Sequence, residues 1–103
     1  MSTRGQVKIE GNELKSVFFS VGSDASMLYD IVAGDLRGSE DGLKAFLSGR
    51  LVRDEWIDGV SSKIDPYNCE YLVIVNLDAR SIQEFIGWDS TTGPAKLSKM
   101  DRF

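Results

Sequence analysis

The run Tyr71 to Leu77 (Tyr-Leu-Val-Ile-Val-Asn-Leu) constrains this chain more than any other segment. It is short, rich in β-branched residues and closed by Asp78, so it predicts a strand. It is apolar on both alternating faces, and so is Val17 to Val21. A strand with one wet face alternates apolar with polar residues. Both faces of the sheet therefore need cover, from helices of the same chain or from a second chain.

A second strand pair precedes this run. Gln6-Val7-Lys8-Ile9-Glu10 alternates polar with apolar residues, Gly11-Asn12 supplies turn residues, and Leu14 to Val21 is rich in β formers. The three segments predict a β-hairpin. Its simplest pairing sets Glu10 opposite Glu13 and Lys8 opposite Lys15, which places like charges face to face.

Helical spacing dominates the middle of the chain. Ser23 and Asp24 offer caps, and Ala25, Leu28, Ile31, Val32 and Leu36 recur at helical intervals, predicting a helix over 24–36 that stops near Gly38. Ser39-Glu40-Asp41 starts a second, with Leu43, Phe46 and Leu47 as its apolar face. Val52, Trp56 and Val60 are spaced by four and suggest a third within 50–63, against the opposition of Gly49 and Gly59. Ser81-Ile82-Gln83-Glu84 matches a capping box, with Ile82, Phe85 and Ile86 as the buried face of a last helix. The expected fold class is α+β: a small antiparallel sheet, made of the hairpin plus one later strand, packed with three or four helices. All 103 residues form one domain. Residues 1–4 and about 93–103 are expected to be loose termini.

Composition then limits the chemistry. The chain has no histidine. That removes Ser-His-Asp and Cys-His catalytic pairs, histidine metal sites and the commonest general base. There is one cysteine, Cys69, so no internal disulfide supports the fold. The ten glycines form neither a Gly-x-Gly-x-x-Gly fingerprint nor a Walker-type loop. The formal net charge of −4 lacks the basic stripe of a direct nucleic-acid binder and favours another protein with a basic surface patch as partner. No apolar run approaches the length of a membrane span, and the N-terminus has no apolar signal core; the expected location is cytoplasmic.

Few residues stand out as carriers of function. Asp54, Glu55 and Asp58 surround Trp56, an aromatic ringed by charge, which is a pattern for a partner-binding anchor. On a helix Asp54 and Asp58 would share a face and could offer oxygen ligands, but the calcium-loop pattern is absent. Glu13-Leu14-Lys15 resembles only the tail of a metal-nuclease pattern. Arg50 and Arg53 could grip an anion, and ion pairs with Asp54 or Glu55 explain them as well. Lys96, Lys99 and Arg102 alternate with Leu97, Met100 and Phe103, a pattern suited to docking. No catalytic residue, metal ligand or cofactor is assigned. The expectation is a protein-binding module acting stoichiometrically on a partner, as small acidic inhibitors, immunity proteins and anti-defence proteins do. The alternatives are a homodimeric assembly protein and a carboxylate- and metal-dependent enzyme.

Overall fold

The computed structural model describes residues 4–11, 13–21, 25–38, 57–63, 70–89 and 93–103. Their elements are β1 (Gly5–Gly11), β2 (Leu14–Val21), a 3₁₀ turn (Ala25–Met27) running into α1 (Leu28–Gly38), β3 (Ile57–Ser61), β4 (Tyr71–Asn76), β5 (Ser81–Asp89) and β6 (Gly93–Arg102). All six strands join one mixed sheet in the order β3-β2-β1-β4-β5-β6. The central pair, β1 and β4, is parallel, and every other neighbouring pair is antiparallel.

This corrects the expected fold class. The described residues are mostly sheet, with six strands and one α-helix, not a hairpin and one strand packed with three or four helices. The first predicted helix is present as α1 and its leading turn. The predicted helix after Ser81 is strand β5. Residues 77–80 form the turn that joins it to β4, and the Asn76 side chain fixes that turn by accepting from the amides of Asp78 (3.0 Å) and Ala79 (2.9 Å). Ile57–Ser61, inside the suggested third helix, is strand β3. Gly93–Arg102, expected to be loose, is β6. The helix expected after Ser39 lies outside the described residues.

The hairpin forms, but in another register. Ile9 faces Val17 and Lys8 faces Phe18, while a shift between Ile9 and Gly11 sets Gly11 opposite Leu14. The extra residues carry Glu13 into the turn, at φ 60°, and the like-charge pairs are avoided. Lys8 gains better company: its ammonium lies 3.0 Å from Glu10 and 5.7 Å from the Phe18 ring centroid.

The main core lies between α1 and one face of the sheet. Leu28, Tyr29, Val32, Ala33 and Leu36 make a stripe at helical spacing. They meet Val7 and Ile9 of β1, Phe19 and Val21 of β2, Val73 and Val75 of β4, and Ile82 of β5. Two glycines allow close approach at the parallel seam. A β-carbon at Gly5 would lie 2.7 Å from the Tyr71 carbonyl oxygen and 2.9 Å from the Ala25 Cβ. Gly11, at φ 94°, would bring one to 2.8 Å from the Asp78 amide nitrogen.

The opposite face carries a smaller cluster, Leu72 and Ile74 with Phe85 packed against them. Leu72, Gln6 and Phe18 are buried on this face within the single chain. The two-faced apolar pattern of β4 is thus satisfied around the sheet centre without a second chain.

Candidate functional site at the β6 edge

Exposed apolar surface concentrates where the described sheet ends, and cross-strand register shows how it is oriented. Phe85 pairs with Leu72 on one side and Leu97 on the other; Gln83 pairs with Ile74 and with Met100. Leu72 and Ile74 share the face turned away from α1, so Leu97 and Met100 share it too. Leu97 is 49% exposed and Met100 59%, beside a partly buried Phe85. The Gln83 side-chain amide donates to the Met100 sulfur at 3.6 Å. The result is a short apolar strip at the open border of the sheet.

The two residues are three apart, yet face the same way, because the β5–β6 ladder shifts between Glu84 and Phe85: Lys99 faces Glu84, and Leu97 faces Phe85. Ser98 is the extra residue of this bulge. The same register puts Lys96, Lys99 and Asp101 on the α1 face, opposite Ile86, Glu84 and Ile82.

On that face α1 is bound to β6 by charge. Arg37, in the last helical turn, pairs with Asp101 and donates to the Arg102 carbonyl oxygen at 3.0 Å. A cation there also suits the negative end of the helix dipole. The Arg37 guanidinium, helped by the Arg102 amide at 2.8 Å, holds the Asp101 carboxyl below the usual carboxylate range. The same pairing raises Arg37 above its ordinary value. The Lys99 ammonium lies 3.9 Å from Asp30 and 5.5 Å from the Tyr29 ring centroid. Burial, then the negative charge of Asp101, raises the Tyr29 phenol above its ordinary value. Beneath these groups lies Glu84, only 3% exposed, whose Oε2 has no hydrogen-bond partner. At the end of the strand, the Phe103 amide donates to the Arg80 carbonyl (2.9 Å), and the Arg80 guanidinium lies 5.7 Å from the Phe103 ring.

Of the residues singled out from sequence, Asp54, Glu55 and Trp56 lie outside the described residues, as do Arg50, Arg53 and Cys69. Asp58 belongs to β3, the strand at the opposite border from β6. Glu13 sits in a turn, apart from the strand position that a nuclease-like pattern needs. Among the described residues no three Cys, Asp or Glu side chains are grouped to hold a metal ion. No described helix is long and apolar enough to cross a membrane.

Sequence reasoning marks Leu97 and Met100 as part of a docking pattern but does not assemble the apolar strip with Phe85. Local pattern puts Phe85 on a helix face, and Leu97 and Met100 in a tail. Their spacing of three hides a shared face unless the bulge is known. No protein-family model matches the chain, and neither does any curated protein or solved structure.

Proposed function

We propose that this protein is a non-catalytic protein-binding module, and that the border formed by β5 and β6 is its contact surface. The observation supporting this reading is the joint exposure of Leu97 and Met100 beside Phe85 on a strand fastened to α1 by Arg37 and Lys99. Apolar side chains held on a rigid strand, rimmed by charge, have the anatomy of an interface centre. Binding of this kind suits a stoichiometric inhibitor, immunity or anti-defence protein. The net charge of −4 would steer the chain toward a basic patch, with Trp56 among Asp54, Glu55 and Asp58 as a separate candidate anchor.

A photo-crosslinking residue in place of Leu97, introduced in the native host, tests the reading. A discrete adduct that disappears when Met100→Lys is added supports it. Absence of any adduct, with the chain expressed and folded, overturns it.

A further inference from the structure

The β6 edge is selective about what can pair with it. Lys96, Lys99 and Arg102 make it costly for a neutral or basic strand to add there. Among the described residues no strand occupies its outer side.

Consider β6 laid antiparallel against another β6. Residues directly opposite must point to the same face of the joined sheet. The bulge fixes which residues do: Leu97 and Met100 point away from α1, while Lys96, Lys99 and Asp101 point toward it. One alignment satisfies this on both sides of the bulge. It sets Leu97 opposite Met100 and Lys96 opposite Asp101, with Ser98 opposite Lys99. Sliding by one residue sets Leu97 against Lys99 in one direction. In the other it sets Leu97 against Asp101 and Lys99 against its own copy.

The alignment chosen by face is also matched in chemistry. Apolar meets apolar at Leu97 and Met100, both about half exposed in the single chain. Cation meets anion at Lys96 and Asp101, and the Asp101 side chain stays 53% exposed despite its pairing with Arg37. Two-fold symmetry repeats each contact.

From this we infer that the partner at the β6 edge is a second copy of this chain, joined strand to strand by an antiparallel β6–β6 pairing centred between Ser98 and Lys99. The inference rests on the binding-module reading and names the partner of that same surface. Lys96, which would repel another strand, is neutralised here by the copy's Asp101, so the pairing is both selective and self-limiting: each chain has one such edge.

Charge exchange tests the register. Lys96→Glu alone sets two carboxylates against each other across the joined strands, and Asp101→Lys alone sets two ammonium groups there. Each variant's self-association therefore weakens by about tenfold. Mixed together, the two variants form a heterodimer in which both symmetry-related contacts set a carboxylate against an ammonium group, the two exchanged side chains at one and the unchanged Asp101 and Lys96 at the other, so mixing restores association to about the wild-type strength. The double variant carrying both substitutions in one chain reverses the order of charge at both contacts, and it self-associates as tightly as the wild type. Sedimentation velocity over a concentration series reads this, with far-UV circular dichroism confirming that each variant is folded. A wild-type chain that remains monomeric up to millimolar concentration overturns the inference, and so does a double variant no tighter than the single ones. The Leu97 crosslink separates this result from the broader reading. An adduct of twice the chain's mass supports the paired copy; an adduct with a different protein, from a chain that stays monomeric, overturns the pairing and leaves the binding module standing.

Discussion

Glu84 stands directly across from Lys99 in the β5–β6 ladder, yet its Oε2 is buried without a hydrogen-bond partner while the Lys99 ammonium lies beside Asp30 and the Tyr29 ring. A buried carboxylate oxygen that has given up water without replacing it costs free energy. Its position on the α1 face, level with Val73, is one that an apolar side chain could occupy.

Replacing Glu84 by Met is therefore expected to stabilise the fold by about 1 kcal/mol at neutral pH. Urea unfolding checks it through a higher midpoint at unchanged slope. A lower midpoint would show that the carboxylate's remaining interactions outweigh its desolvation.

The Tyr29 phenol gives a prediction at alkaline pH. Its folded value lies above the ordinary 10.0, so the fold favours the neutral phenol. The corresponding stability is present in full below pH 10 and is lost as the pH rises through the higher folded value. Tyrosinate absorbance should show one of the three tyrosines ionising late, and Tyr29→Phe should remove that late phase.

What the sequence conveys depends on whether local pattern and tertiary position agree. In β1, β2, β4 and α1 they agree: alternation or helical spacing matches the buried face, and those segments are legible. In β5 they conflict. Glu84 occupies an inward position where alternation calls for an apolar residue, and Ile82, Phe85 and Ile86 then imitate helical spacing behind a capping-box motif. In β6 the bulge at Ser98 breaks the alternation, and Lys96 through Arg102 are all exposed, so the strand looks like a tail. Arg80, at φ 53°, turns the chain between β4 and β5 at a position where no glycine or asparagine announces it. The candidate site is legible only as a docking pattern at Leu97 and Met100, and its shared face with Phe85 goes unread for the same reason, since that geometry comes from the bulge.

Two glycines should respond in opposite directions to alanine. Nothing lies within 4 Å of a β-carbon at Gly34, on the exposed side of α1, so Gly34→Ala should add about 0.5–1 kcal/mol through helix propensity. Gly5→Ala would push into the Tyr71 carbonyl and Ala25, and should cost about 1–3 kcal/mol. Thermal melts of the two variants, run beside the wild type, check the signs.

Neighbouring residues at the start of the helix provide a contrast in burial. Leu28 is fully buried against the sheet, while Met27 is 56% exposed. Leu28→Ala should cost about 3 kcal/mol, and Met27→Ala no more than about 0.5 kcal/mol. Equal losses in chemical denaturation would place the core elsewhere.

The parallel seam between β1 and β4 also governs how the chain must be made. On a ribosome the β1–β2 hairpin emerges before β4, with one flank of β1 still unoccupied. Its rightful neighbour, beginning at Tyr71, arrives only after the intervening residues 22–70 have been synthesised. Until then Val7 and Ile9 lie beside an unfilled slot that any extended segment could enter. The nascent molecule is thus open to mispairing in that interval, and closure of the seam joins β3, β2 and β1 to β4, β5 and β6 in one sheet.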